Sequence, residues 1–88
     1  MIKVYSINNC KHCLEAKKYL KEKGIVFEDI NLSAKENKEA RKYYRELGIQ
    51  VAPIITGIDK KKNIEWIIWG FDEDKKCQLE SILKDYYE

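Results

Sequence analysis

Three glycines, Gly24, Gly48 and Gly70, divide this 88-residue chain into segments that each read as strands or helices. No other feature limits the fold as much, because glycine readily takes the left-handed conformation that ends a helix. Before Gly24, a strand-like opening from Met1 to Tyr5 is followed by a polar turn, Ser6 to Asn9, and a helix-patterned run from Cys10 to Lys23. Asn8 or Asn9 is placed to cap that helix, and Lys17, Lys18, Lys21 and Lys23 suit the negative end of its dipole.

Between Gly24 and Gly48, Ile25 to Asn31 reads as a second strand, with Val26, Phe27, Ile30 and Leu32 offering apolar contacts. Ser33, with Glu36 three residues on, has the pattern of a capping box. It opens a second helix whose buried side is marked by Ala40, Tyr43, Tyr44 and Leu47. Two β-rich runs follow, Pro53 to Ile58 and Ile64 to Trp69, and the charged tip Asp59-Lys60-Lys61-Lys62-Asn63 joins them as a hairpin. Asp72 then caps a final helix with Leu79, Ile82, Leu83 and Tyr86 on one face.

The order β-α-β-α-β-β-α predicts an α/β fold. A parallel pair with a right-handed crossover comes first, a late hairpin adds antiparallel strands, and helices flank the mixed sheet. With no linker, repeat or low-complexity segment, residues 1–88 read as a single domain. At this length it hides roughly 60% of the surface its unfolded form exposes.

The 17 Lys and Arg against 15 Asp and Glu leave a formal charge of +2, too balanced to imply nucleic acid or an anionic membrane as partner. No apolar stretch approaches membrane-spanning length and no signal-peptide pattern opens the chain, so a cytoplasmic protein is expected. Three cysteines is an odd count, well below the density of disulfide-stapled secreted domains.

The chemistry lies in Cys10-Lys11-His12-Cys13. On a helix, residues i and i+3 have Cα atoms about 5 Å apart, within the window a disulfide requires. The unpaired N–H groups and positive dipole end of a first turn favour a thiolate, which makes Cys10 the nucleophile. Cys13 shares a face with Ala16 and Leu20 and points inward, whereas Cys10 sits about 60° to one side, nearer Lys17. Lys11 and His12 are carried about 100° and 200° around from Cys10, so they act on it only through space. Cys77 lies about 160° from the apolar stripe of the last helix, and is expected to be partly exposed and non-catalytic. Zinc ranks below redox chemistry, because only Cys77 and His12 remain as further ligands. Trp66 and Trp69, three apart in a strand, project to opposite faces, with Trp69 bordering the site.

A CxxC pair after the first strand of a βαβ unit reads as a thioredoxin-like redox motif, and at this length the chain resembles a glutaredoxin. The resemblance covers nearly the whole chain: the strand ending in Tyr5, Cys10 to Cys13, the helix to Gly24, the strand reaching Asn31, Val51-Ala52-Pro53 and Gly70-Phe71-Asp72. It implies a thioredoxin-like fold with a four-stranded mixed sheet. It also implies a glutathione-linked thiol-disulfide oxidoreductase that reduces protein disulfides and glutathione mixed disulfides. Cys10 would attack, and Cys13 or a second glutathione would resolve the intermediate.

By the same resemblance, Pro53 carries a cis bond beside the dithiol, where the backbone of Ala52 pairs with the cysteine of glutathione or a peptide. Cis bonds belong almost wholly to proline. Gly70-Phe71-Asp72 resembles the corner whose N–H groups receive the γ-glutamyl carboxylate. The implied binding set is Lys11, His12, Val51, Ala52, Pro53, Gly70, Phe71 and Asp72. Glutathione is the co-substrate, no cofactor is tightly bound, no metal site is expected, and the chain acts as a monomer on disulfide-containing proteins.

Three positions depart from the family pattern. Ile7 stands where glutaredoxins commonly have a lysine for the glycine carboxylate, Trp69 replaces the first of two glycines, and Lys11 replaces a proline. A second reading is therefore a glutaredoxin-like hydrogen donor of ribonucleotide reductase, reduced by thioredoxin reductase. Two others are a metal or iron–sulfur module using the CxxC, and a small interaction domain whose cysteines are incidental.

Overall fold

The computed structural model describes residues 2–86, with side chains through Lys84. The Tyr86 side chain and the strand position of Met1 thus lie outside the described residues. Ile2, Val4 and Ser6 alternate with Lys3 and Tyr5 along β1 (Ile2–Ser6). The helix α1 (Lys11–Glu22) crosses to β2 (Phe27–Asn31), which pairs parallel with β1. A 3₁₀ turn (Lys35–Asn37) leads into α2 (Lys38–Glu46). The hairpin β3 (Ile54–Asp59) and β4 (Ile64–Trp69) pairs antiparallel, β3 also pairs antiparallel with β1, and α3 (Glu73–Tyr86) closes the order.

The sheet order is β2-β1-β3-β4, a four-stranded mixed sheet in the expected topology. Strand alternation sends successive side chains to opposite faces. One face gathers Ile2, Val4, Ile55 and Ile68 under Ala16, Tyr19 and Leu20 of α1 and Leu79 and Leu83 of α3. The other packs Ile54 and Leu32 with Tyr44 of α2. Gly24 and Gly48 end their helices at φ of 71° and 84°, conformations that a side chain would strain.

Several local expectations change. Ser33 and Glu36 form no capping box: the Ser33 hydroxyl accepts the Asn8 N–H from the distant 7–9 loop, and α2 starts at Lys38 with Asn37 as its N-cap residue. The Asn37 amide donates instead to the Asn31 carbonyl at 2.7 Å. The short α2 then buries Tyr44, while Tyr43 and Leu47 are 52% and 51% exposed and not part of a buried stripe. The second strand begins at Phe27; Ile25 is buried in the connection, its N–H on the Leu20 carbonyl, and Val26 faces solvent. Pro53 precedes β3 instead of opening it.

Candidate active site

The chain leaves β1 through Ile7, Asn8 and Asn9, and Asn9 takes a positive φ of 57° that turns it into the helix. Asparagine tolerates this region better than most residues. Asn8 does not cap the helix; its side-chain oxygen accepts from Asn31 Nδ2 at 3.0 Å, which ties the loop to the end of β2. The N-cap residue is Cys10 itself, in extended conformation, with its sulfur accepting the Cys13 N–H at 3.2 Å. This sulfur therefore takes one of the helix's otherwise unpaired donors, a position that favours the thiolate.

Cys10 and Cys13 are joined as a disulfide with Cα atoms 5.2 Å apart. Cys13 is 1% exposed while Cys10 is half-buried, the inward and rim positions expected from helical phase. Lys11 and His12 are exposed, and His12 Nδ1 lies 3.8 Å from Glu15 Oε2 on its own helix face. Lys17 does not face Cys10 as a free charge; its ammonium pairs with Asp29 Oδ2 at 3.1 Å. Cys77 is an exposed free thiol on α3.

Register brings the remaining predicted residues to the same end of the sheet. Ile54 lies opposite Tyr5, so Val51, Ala52 and Pro53 reach the end of β1 that delivers Cys10. The Ala52–Pro53 bond is cis, Pro53 is buried, and its carbonyl accepts the Gly70 N–H at 2.8 Å. Val51 and Ala52 line a groove of about 240 Å³ with Ile7, Tyr44, Arg45 and Ile49. Phe71 packs against the core, its ring 5.8 Å from that of Tyr19. Asp72 caps α3 through Oδ1 on the Lys75 N–H at 2.9 Å. Trp69 is exposed with the Lys75 ammonium 4.8 Å from its ring center, while Trp66 turns to the core.

Sequence reasoning missed the hydrogen bond from Ser6 to Asp29 Oδ1 at 3.2 Å, which completes a Ser6–Asp29–Lys17 cluster. The signal that could have found it was the period of β2, which puts Phe27, Asp29 and Asn31 on one face. Among the described residues no group of three or more His, Cys, Asp or Glu is placed to hold a metal ion, and no helix is long and apolar enough to cross a membrane.

A dithiol at a helix start, backed by a mixed sheet of this order, defines a thiol-disulfide oxidoreductase of the thioredoxin-like fold. The sequence pattern of the glutaredoxin family matches residues 2–61, and the chain belongs to that family. It is 42% identical over 59 residues to the glutaredoxin-like protein NrdH of Lactococcus lactis, covering 67% of this chain and 79% of that one. A glutaredoxin-like 8.6 kDa protein from the rubredoxin operon of Clostridium pasteurianum is 39% identical over 66 residues, covering 68% and 88%. Among solved structures, the NrdH-redoxin of Escherichia coli, a glutaredoxin-like protein with a thioredoxin-like activity profile, superposes with a TM-score of 0.66. That match has 26% identity and covers 85% of this chain and 90% of the other. The glutaredoxin of Archaeoglobus fulgidus gives the same TM-score at 24% identity over 89% and 83%, a likeness of fold.

Proposed function

We propose that the chain is a dithiol hydrogen donor that reduces protein disulfides, ribonucleotide reductase among them, and is itself recharged by thioredoxin reductase instead of glutathione. Cys10 attacks the substrate disulfide and Cys13 resolves the mixed disulfide, forming the Cys10–Cys13 bond. The similarity to NrdH supports this reading. So does the apolar groove beside Ala52, where Ile7 and Val51 are exposed in a manner suited to a polypeptide partner. The reading assigns the protein to the cytoplasm, as a monomer with no tightly bound cofactor.

The observation that carries it is the charge at the two ends of the place glutathione would occupy. That tripeptide presents two carboxylates. At one end stands Ile7, 45% exposed and unable to donate a charge-assisted hydrogen bond. At the other, Asp72 Oδ1 already accepts the Lys75 N–H at 2.9 Å and Glu73 and Asp74 stand in the first turn of α3, so carboxylates of this chain surround the N–H groups that would receive the γ-glutamyl carboxylate.

The test supplies the oxidised protein with NADPH and either thioredoxin reductase, or glutathione with glutathione reductase, and follows NADPH consumption while insulin disulfides are reduced. Turnover with thioredoxin reductase and little with glutathione is expected. Efficient turnover with glutathione alone would return the chain to the glutathione-linked reading.

A further inference from the structure

Beneath the start of α1, the inward face of the sheet turns from apolar to polar. Ile2, Val4 and Ser6 alternate onto this face, and the parallel register sets Asp29 beside Val4, so Ser6 and Asp29 share it. The Ser6 hydroxyl, buried, donates to Asp29 Oδ1 at 3.2 Å, while Lys17 reaches across from α1 to Oδ2 at 3.1 Å. Both oxygens of one carboxylate are held by donors, with their remaining lone pairs free. Ser6, Lys17 and Asp29 line a cleft of about 580 Å³ together with Cys10 and Cys13.

This placement bears on the step in which Cys13 acts. A buried thiol is held in its protonated form, and only the thiolate attacks a disulfide. Cys13 needs a proton acceptor that the helix start, already engaged with Cys10 sulfur, does not provide.

We propose that Asp29 takes the Cys13 proton in the resolving step, with the buried Ser6 hydroxyl as the positioning residue for its carboxylate. The inference rests on the reading in which Cys10 attacks and Cys13 resolves. With a substrate sulfur joined to Cys10, the Cys13 S–H bond breaks and its proton crosses the cleft to Asp29. The freed electron pair forms the Cys13–Cys10 bond. The bond from Cys10 to the substrate sulfur breaks, and its electron pair leaves on that sulfur, which takes a proton from water. The dithiol is oxidised by two electrons and the substrate disulfide reduced by two. Asp29, half-exposed at the mouth of the cleft, then returns its proton to solvent.

The charged groups around this cleft are few. From α1 they are Lys11 and Lys17 and from β2 Asp29, while β1 contributes no charge, only the neutral Ser6 hydroxyl. The turn at Val51, Ala52 and Pro53 brings no titratable group, and Asp72 before α3 is engaged with the Lys75 N–H. Asp29 is the carboxylate that shares the cleft with Cys13.

Dithiobis(nitrobenzoate), one equivalent per reduced protein, separates the two steps in a Cys77→Ser background. Attack by Cys10 releases the first coloured thiolate and resolution by Cys13 the second. Asp29→Asn is expected to slow the second release by at least about tenfold near neutral pH, a modest loss for a proton acceptor, and to spare the first. The deficit should close as pH rises and hydroxide removes the proton. Lys17→Met breaks the same ion pair but keeps the carboxylate, and should stay within about threefold of the parent, well short of the loss of the acceptor itself. An unchanged second release in Asp29→Asn, a pH-independent deficit, or equal losses in both variants would overturn the proposal. A parent protein releasing only one equivalent would overturn the attacking and resolving roles along with it.

Discussion

The Cys13 N–H points at the Cys10 sulfur at 3.2 Å, so a thiol side chain occupies the capping position that a hydroxyl or carboxamide usually fills. That donor, with the dipole behind it, stabilises negative charge on Cys10 alone. The three cysteines should therefore separate by rate when the reduced protein meets sub-stoichiometric iodoacetamide at about pH 6.5, well below the ordinary thiol range. Peptide mapping is expected to find label first on Cys10, more slowly on exposed Cys77, and last on buried Cys13. Equal labelling of Cys10 and Cys77 would remove the electrostatic role of the helix start.

The acidic start of α3 and the apolar side chain at position 7 can be reversed by substitution. Ile7→Lys combined with Glu73→Gln and Asp74→Asn should restore a cation at one end and relieve repulsion at the other. A single charge-assisted hydrogen bond is worth about 1.5–3 kcal/mol, so kcat/KM with a glutathione mixed disulfide should rise about tenfold or more. Turnover with thioredoxin reductase should not rise in parallel. A flat response to glutathione would show that these positions do not set the reductant.

Local spacing makes much of this site legible in the amino-acid sequence. Cys10 and Cys13 are joined by helical rise, and Asp72 caps the helix that follows it, so both can be read along a few residues. Ser33 misleads because its hydroxyl is taken by Asn8, a donor 25 residues away. Tyr43 misleads because it lies about 100° around α2 from Tyr44, the residue that faces the core, and Leu47 because it is already the C-cap of that helix. The Ser6–Asp29–Lys17 cluster needs the register of two parallel strands and the helix between them, which no local pattern specifies.

Gly57 and Trp66 face each other across the hairpin, and the indole fills the space a side chain at position 57 would need. A Cβ built there lies 2.6 Å from Trp66 Cε2 and overlaps Cζ2 more closely still. Because Trp66 packs against the core, the ring cannot swing away without leaving a gap. Gly57→Ala should therefore destabilise by about 1–3 kcal/mol, the usual cost of overpacking, despite the better strand propensity of alanine. Thermal unfolding checks this, with a fall of roughly 4–8 °C expected for each kcal/mol in a domain of this size. Trp66→Leu in the Gly57→Ala background should recover part of the loss by making room.

Tyr44 carries the pH dependence at the alkaline end. Burial, then the neighbouring Tyr5 hydroxyl, raises its pKa above the usual phenol value, and burial raises that of Tyr19 as well. The folded chain thus keeps these protons at a pH where the unfolded chain has released them, so the unfolded state binds fewer protons and stability falls with rising pH. The contribution is fully present below the unfolded tyrosine pKa of about 10 and is lost as pH climbs from there towards the folded values. Each such group adds a slope of up to about 1.4 kcal/mol per pH unit in that window. Urea unfolding of the parent and Tyr44→Phe at about pH 8, 10 and 11 should show a shallower alkaline decline in the variant, whatever its stability at neutral pH. Parallel declines in the two proteins would mean that Tyr44 ionises as easily when folded as when unfolded.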